Sequence, residues 1–222
     1  MVILEVKDSY DPSMRFYNPS AFRSDDLDEV LNLIEQNPLA TLITSKEGET
    51  FVSHLPMVAK REGDKVMLNS HFSKANPHLA ICREVPSVYL VFHGVSASVT
   101  PTLYLEKGVP TWNYSVVHLR GKLSFVSQEN FDSALEAMTR HFESKRGSEY
   151  TSTSADDYIR SMKRGIEVIE IEVTEVEGKF KLSQNRQLED RIAVAKSLNQ
   201  SVELEDKRTA AEMARVNHFD LN

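Results

Sequence analysis

The sequence predicts a mainly β fold, an antiparallel barrel with helical additions. Short runs rich in Val, Ile, Thr, Tyr and Phe recur along the 222 residues, as is typical of strands. Glycine-containing turn segments at 46–49 and 61–64 separate the first of these runs and indicate a meander. Only a few segments carry apolar residues at helical spacing.

The N-terminal half predicts a helix, a three-stranded meander and a second, short helix. Apolar residues recur at helical spacing over 25–36, and Asn37 before Pro38 ends that helix, since a residue before proline avoids helical geometry. Strands are predicted at 40–45, 50–58 and 65–69. Asn76 is a favourable N-cap for a short helix over 77–83.

The C-terminal half continues this pattern. Strands are predicted at 87–92, 97–100, 114–125 and 166–176. Helices are predicted at 127–142, 156–163 and, in a polar tail, 189–216. We expect a loop at 106–108 and a mobile surface loop at 143–154. The elements predict a domain over 1–188 and a helical C-terminal tail over 189–222.

Composition excludes several classes of protein. The net charge of −7 argues against non-specific binding to nucleic acid or anionic membranes. The single cysteine, Cys82, excludes an intrachain disulfide framework and suits a reducing compartment. The first 16 residues are too acidic for a signal peptide, and no stretch is long enough to cross a bilayer. We therefore expect a cytoplasmic protein without membrane contact.

Residues 110–125 hold the only tryptophan and predict one wall of a ligand site. Trp112, Asn113 and Tyr114 stand where a loop enters a strand, and the strand carries His118 and Arg120. Such side chains are unusual for a strand that serves only the core.

A second candidate lies at 69–78, where polar residues precede the predicted short helix. Ser70, Ser73, Lys74 and Asn76 gather there, and a helix N-terminus with hydroxyl and ammonium groups suits a phosphate. Ordinary capping beside a solvated lysine is the alternative explanation.

A third candidate is the polar and basic run that follows the last strand. It contains Lys179, Lys181, Ser183, Gln184, Asn185 and Arg186. These groups suit the edge of a ring with several acceptors, such as a flavin, or belong to a solvated loop.

The sequence contains no motif for a metal site, for nucleophilic catalysis or for a glycine-rich nucleotide-binding loop. The seven histidines and one cysteine lack the spacing of a zinc site, so no metal is expected. No nucleophile elbow, Walker-type phosphate loop or Gly-x-Gly-x-x-Gly fingerprint occurs. Cys82 falls in an apolar helix and is expected to pack rather than react.

Several motifs in order resemble the PaiB family, a branch of the FMN-binding split-barrel superfamily related to pyridoxamine-phosphate oxidases. The likeness runs from about 16 to 191. The motifs are RFYNPSAFRSDD, PLATLIT, SHLPM, HFSKANP, VFHG, VPTWNYSVVHLRG and KLSQNR. The family pattern usually has a tryptophan before the tyrosine of SVTPTLY, and this chain has Leu103 there, so it lacks one aromatic side chain of the pattern.

The resemblance implies a homodimer of split barrels with FMN at the subunit interface, the split-barrel domain being residues 1–188. It places the FMN phosphate at HFSKANP and the isoalloxazine along SHLPM, with the late motifs closing the site partly from the other subunit. The implied cofactor residues are His54, Leu55, Pro56, His71, Ser73, Lys74, Asn76, Trp112, Asn113, Tyr114, His118, Lys181, Ser183, Gln184 and Arg186.

Three functions fit these observations. The first is a flavin-binding regulator of the kind after which the family is named, although the sequence has no helix-turn-helix motif for direct DNA contact. The second is an FMN-dependent oxidoreductase that acts on a small molecule. The third is a split barrel that binds haem, for which His54, His71 and His118 are candidate ligands, or that has lost its cofactor.

Overall fold

The computed structural model describes residues 16–105, 107–153 and 157–221. Within them, eight strands form one antiparallel sheet in the order β3-β2-β6-β7-β8-β5-β4, with β1 paired to β8; the sheet is not closed. The strands are β1 (Arg23–Ser24), β2 (Leu39–Lys46), β3 (Glu49–Pro56), β4 (Val58–Glu62), β5 (Lys65–Ser73), β6 (Ser87–Val99), β7 (Thr111–Phe125) and β8 (Ile166–Lys181).

Helices flank this sheet and form the C-terminal tail, which confirms the predicted fold class. They are α1 (Leu27–Gln36), α2 (His78–Glu84), α3 (Phe131–Ser144), α4 (Asp157–Arg164), α5 (Leu188–Asn199) and α6 (Leu204–Asn217), with a short 3₁₀ turn at Pro101–Leu103. None of the helices in the described ranges is both long and apolar enough to cross a membrane.

The chain divides into two compact units. Among the described residues, the central unit comprises those within 26–94 and 116–177, and the terminal unit comprises those within 16–25, 95–115 and 178–221. Strands β6, β7 and β8 each contribute residues to both.

The core of the central unit follows from the two-residue period of its strands. Leu42 of β2 lies opposite Leu90 of β6, and both are fully buried, as are Leu68 and Phe72 of β5. Gly121 of β7 allows close approach to β8, because a Cβ there would lie 2.5 Å from a methyl carbon of Ile171.

The terminal unit has a core of its own, in which the tail helices take part. Helices α5 and α6 pack against each other, and Ala195 and Ala210 are fully buried between larger side chains. Phe180 and Leu182, at the end of β8, are buried as well. The tail is therefore part of the folded structure of this unit.

Element boundaries differ from the prediction where backbone pairing continues through polar residues. Strand β5 extends to Ser73 instead of 69, since it pairs with β8 along this length. The predicted strands at 87–92 and 97–100 form the single strand β6, and β8 reaches Lys181 instead of 176. The predicted strand at 50–58 ends at Pro56, and a separate strand, β4, pairs with β5.

Helix α3 begins at Phe131 rather than at 127, because residues 128–130 form a turn. The first residue of the RFYNPSAFRSDD motif, Glu106 of the predicted loop, and residues 154–156 lie outside the described residues.

The segment predicted as a mobile loop is held to α3 by one carboxylate. Glu136 accepts hydrogen bonds from the Ser152 N–H and hydroxyl, both at 2.7 Å, and from the Thr151 hydroxyl at 2.8 Å. With Arg140 at 2.7 Å, these donors lower the pKa of Glu136 to about 2, the Ser152 side chain contributing most.

Candidate functional site

The 73–78 turn, which joins β5 to α2, already uses its backbone N–H groups. Lys74 N donates to a carbonyl oxygen before β8 at 2.8 Å, and Asn76 N donates to Ser73 O at 3.0 Å. The N–H of residue 75 reaches Ser73 Oγ at 3.3 Å, and that of His78 reaches Asn76 Oδ1 at 3.0 Å. What the turn offers an incoming anion is therefore the side chains of Ser73 and Lys74.

Lys74 is exposed and only loosely held. Its Nζ lies 4.0 Å from Glu167 Oε2, and Glu167 Oε1 also lies 3.1 Å from an Arg83 nitrogen. A shared carboxylate at the limit of ion pairing leaves the ammonium able to turn toward a ligand. Ser73, beside it at the end of β5, is exposed too.

A buried polar network fixes this turn from below. Asn76 Nδ2 donates to Ser53 Oγ at 3.0 Å, and Ser53 Oγ lies 2.9 Å from Nδ1 of His78. His78 is 2 % exposed, and burial lowers the pKa of its imidazole. Its Nε2 is buried and has no hydrogen-bond partner in the described part of the chain. The network thus ties β3 to the start of α2.

The SHLPM segment alternates between the two faces of β3. Leu55 is buried in the core, whereas His54 and Pro56 are exposed. His54 pairs with Thr41 of β2, and its Nδ1 lies 3.2 Å from the Thr41 hydroxyl. On β5, His71 is half-buried, and burial lowers its pKa. Of the predicted ring contacts, His54 and Pro56 are the ones open to a ligand.

The outward face of β6 and β7 carries a cluster centred on His118. Its Nδ1 lies 2.5 Å from the hydroxyl of Tyr89, and the Arg120 guanidinium lies 4.8 Å from the centre of the Tyr89 ring. Burial raises the pKa of Tyr89, and Glu177 adds to this, while Arg120 opposes it. Arg120 also faces Glu175 at 3.2 Å. The arrangement can hold and pass a proton between phenol and imidazole.

The terminal unit contains a pocket of about 200 Å³, called here the terminal-unit pocket. It is lined by Tyr104, Val109, Thr111, Asn113, Lys181, Ser183, Asn185 and Arg186. Lys181 Nζ donates to Thr111 Oγ1 and to the Trp112 carbonyl, both at 2.6 Å. Burial, and then the nearby charge of Lys179, lower the pKa of Lys181. The Arg186 guanidinium lies 4.3 Å from the centre of the Tyr104 ring.

The 181–186 loop, which forms one side of this pocket, is held by side-chain amides. Asn113, which is buried, donates from Nδ2 to Ser183 Oγ at 3.0 Å, and Ser183 has a left-handed backbone with φ +67. Gln184 bonds the loop to itself, accepting from Leu182 N at 2.7 Å. Asn217 of α6 donates to Leu182 O at 3.1 Å. The tail helices therefore set the shape of this loop.

The aromatic residues of the 110–125 stretch differ in their roles. Trp112 is 57 % exposed, and its contact with Lys181 is through the backbone. The Tyr114 ring lies 5.4 Å from the ammonium of Lys179, which is buried and donates to Tyr17 O at 2.8 Å. Trp112 is thus not a core residue.

A family model described as "Putative FMN-binding domain" matches residues 16–175. The chain belongs to this FMN-binding domain family. The match covers nearly all of the central unit, including the 73–78 turn and the Tyr89–His118 pair. It also covers 95–115 of the terminal unit and ends before the 181–186 loop. The PaiB-type resemblance and the split-barrel class are confirmed.

Known proteins resemble this chain in sequence or in fold. The Bacillus subtilis (strain 168) "Protease synthase and sporulation protein PAI 2" is 27% identical over 201 residues, 90% of this chain and 95% of that protein. The FAD and haem binding protein from Mycobacterium smegmatis superposes with a TM-score of 0.59 at 18% identity, over 77% and 78% of the two chains. The flavocytochrome Anf3 from Azotobacter vinelandii gives 0.56 at 19% identity, over 76% and 74%.

Within this family fold, the predicted cofactor residues fall into two groups, each inside one unit. The central unit holds His54, Leu55, Pro56, His71, Ser73, Lys74, Asn76 and His118. The terminal unit holds Trp112, Asn113, Tyr114, Lys181, Ser183, Gln184 and Arg186.

Sequence reasoning did not select several polar residues that the structure places at these sites. Ser53 and His78 are buried beneath the 73–78 turn, Tyr89 pairs with His118, and Tyr104 and Thr111 line the terminal-unit pocket. Successive side chains of a strand point to opposite faces, so an outward His54 implies an inward Ser53. The sequence of SHLPM could therefore have predicted that Ser53 is buried.

The central unit contains groups that fit the parts of FMN. Lys74 and Ser73 supply an ammonium and a hydroxyl suited to a phosphate. The outward pairs Leu39–Pro56, Thr41–His54 and Ile43–Val52 combine apolar and hydrogen-bonding groups, as a flavin ring requires. Asn76 bonds to Ser53 and to the N–H of His78, and the N-cap of α2 is Pro77 instead of the predicted Asn76, so the Asn76 amide supports the turn and is not a free donor.

Proposed function

We propose that this protein binds flavin as FMN, acts as a homodimer and has a regulatory role. The observation that carries the proposal is the family match over 16–175, which contains both the outward face of the sheet and the 73–78 turn. When bound, FMN would supply reversible one- or two-electron chemistry.

Support for the phosphate position comes from the exposed end of β5. Lys74 has a weak partner in Glu167, at 4.0 Å, and Ser73 adds a hydroxyl next to it. A phosphate would replace this distant carboxylate with a charge-assisted hydrogen bond, which is shorter and stronger. Ser53 and His78 contribute by holding the turn in place.

Support for a homodimer comes from apolar side chains exposed on the outward face of β2 and β3. Leu39 is 62 % exposed and Val52 is 51 % exposed, on strands whose other outward residues include Ile43 and Pro56. A second copy of the chain would remove this apolar surface from water, with FMN between the two copies as the family resemblance implies.

The regulatory role is proposed from the name of the Bacillus subtilis relative, which refers to protease synthesis and sporulation. The negative net charge, −7, argues for action through a protein or small-molecule partner instead of direct DNA contact. We also propose that the protein is cytoplasmic and that its split-barrel domain ends at residue 188.

An FMN-dependent oxidoreductase is the second candidate, and the Tyr89–His118 pair favours it. A 2.5 Å contact between a phenol and an imidazole, with Arg120 over the ring, is suited to proton transfer beside a redox cofactor. Haem is a third possibility to test, because the Mycobacterium and Azotobacter neighbours are named for haem binding or as a flavocytochrome. The exposed His54 offers an imidazole for it.

Absorption spectra of the purified protein test these functions together. We expect FMN to bind with quenched fluorescence and a perturbed flavin spectrum, and sedimentation to give a dimer. Rapid bleaching by NAD(P)H would favour the oxidoreductase, and a Soret shift that requires His54 would favour haem. A protein that takes up neither FMN nor haem contradicts the proposal, and a monomer contradicts the shared interface.

A further inference from the structure

The terminal-unit pocket is electropositive in a chain that is acidic as a whole. Its lining contains the cations Lys181 and Arg186 and no carboxylate among the described residues, whereas the net charge of the chain is −7. A cleft lined by one sign of charge concentrates small ions of the opposite sign.

Among the described residues, the two cations have no carboxylate as a partner. Lys181 donates to a hydroxyl and a carbonyl, and Arg186 stacks on a ring, so the observed partners of both are uncharged. Across residues 16–105, 107–153 and 157–221, no carboxylate forms an ion pair with either side chain. Since isolated buried charges are costly, a half-buried lysine and arginine at one cavity are suited to an anion as the missing partner.

The loop that carries Arg186 is fixed before any ligand arrives. Arg191 Nε donates to Arg186 O at 2.6 Å, and Asn113 and Asn217 hold the preceding residues. Ser183 keeps its left-handed backbone within these bonds. A preformed loop lowers the entropic cost of binding, which favours a small ligand with few contacts.

We propose that the terminal-unit pocket binds the anionic group, a phosphate or a carboxylate, of a small ligand. Lys181 and Arg186 provide the charge, and Thr111 and Asn185 provide uncharged polar groups at the same cavity. The volume of about 200 Å³ is below that of a drug-sized site, so the ligand is small or inserts one end. This rests on the proposed function and deepens it, because Asn113, Lys181, Ser183 and Arg186 are also among the residues that the family resemblance implies for the cofactor, and the proposal gives them an anion to bind.

Inorganic phosphate is the probe, titrated calorimetrically into the full-length protein at constant ionic strength. Trp112 supplies a local fluorescence signal, since it is the only tryptophan and its carbonyl is bonded to Lys181. We expect saturable binding with a Trp112 change. Lys181→Met and Arg186→Gln should each weaken it about ten- to a hundredfold, as expected for loss of a charge-assisted hydrogen bond. Lys196→Met, at an exposed position of α5, should leave it unchanged.

Folding of each variant is checked by its thermal transition. Lys181→Arg keeps the charge and should retain most of the binding even where Lys181→Met unfolds. Absence of saturable phosphate binding by the wild type, or equal affinities in wild type, Arg186→Gln and Lys196→Met, overturns the proposal.

The source of the anion is decided by repeating the titration with the protein saturated with FMN or with riboflavin. Phosphate binding that persists with both flavins indicates a second small anion. Binding that persists with riboflavin but is blocked by FMN indicates that the FMN phosphate itself occupies the pocket. Both results support an anion pocket, and neither requires the protein to bind flavin, because the first titration is made without it.

Discussion

The 73–78 turn and the terminal-unit pocket contain similar side chains but use them differently. At the turn, the amide of Asn76 and the hydroxyl of Ser53 bond to one another and to the backbone, so that most donors are already satisfied. At the pocket, Lys181 and Arg186 contact uncharged groups and face a cavity. In both regions the amides and hydroxyls hold the loop, so a motif rich in Ser, Asn and Lys offers a ligand mainly its cations.

The two regions therefore have different roles. Hydrogen bonds hold the turn, and among residues 73–78 Lys74 is the lysine or arginine, with an exposed side chain. The pocket has two cations whose positions are set by Thr111 and Tyr104. Three substitutions test this difference, in order of decreasing effect, and a fourth, at Glu136, tests a loop outside both regions.

Lys74→Ala should weaken FMN binding about ten- to a hundredfold, equivalent to about 1.5–3 kcal/mol for a charge-assisted hydrogen bond. Riboflavin, which has no phosphate, should be almost indifferent to the change. Parallel fluorescence titrations with the two flavins provide the measurement. Equal losses for FMN and riboflavin would show that Lys74 acts through folding.

Ser53→Ala should lower the free energy of unfolding by about 1–3 kcal/mol, because it leaves Asn76 and His78 without a buried hydrogen-bond partner. Denaturant unfolding measures this loss. Ser133→Ala is the control, since the Ser133 hydroxyl is exposed and bonds only to a local carbonyl. If both variants lose the same stability, the turn does not depend on the buried network.

Trp112→Ala should change the free energy of unfolding by no more than about 0.5 kcal/mol, because the side chain is 57 % exposed. A buried tryptophan would cost about 3–5 kcal/mol. Flavin binding should weaken if Trp112 belongs to the cofactor site, and the combination with Arg186→Ala reports whether the two positions are coupled. A large drop in melting temperature would assign the residue to the core.

Glu136→Gln should alter the acid sensitivity of the 148–153 loop with little effect on the sites. The folded pKa of about 2 lies below the ordinary value of 4.5, so the carboxylate stabilises the fold above pH 4.5 and this contribution falls as the pH decreases toward 2. The protection of the Ser152 and Thr153 amides, taken relative to their intrinsic exchange rates at each pH, should therefore fall more in wild type than in the variant between pH 5 and about 3. If protection falls equally in wild type and in the variant, the Glu136 carboxylate does not stabilise this loop.

The fold was predictable because local signals and tertiary structure agree along most of the chain. Asn37 ends α1, as the sequence indicates, whereas the helix begins at Leu27 instead of 25, with Asp26 as its cap through a bond to Asp28 N at 2.9 Å. The errors lie where partners are distant in sequence. Ser70 and His71 looked like a loop, but pairing with Ile169 and Val168 keeps them in β5. No local pattern contains that information.

The sequence identified the segments that form the candidate sites, but it did not show which side chains of different segments lie together. KLSQNR identified Lys181 and Arg186, yet their neighbours Thr111 and Tyr104 come from another part of the chain. His78 was not selected from the sequence, because its role depends on a hydroxyl 25 residues away in β3. Which donors are internally satisfied is a property of the folded chain and cannot be counted from sequence.

Flavin binding by this protein is tested most directly by titrating FMN into the purified full-length chain and following quenching of flavin fluorescence, with riboflavin in parallel. We predict saturable binding in the micromolar range, with FMN bound more tightly than riboflavin and the difference lost in Lys74→Ala. No saturation at micromolar protein, in apo protein prepared to be free of cofactor, would contradict the assignment of this chain as a flavin-binding member of its family.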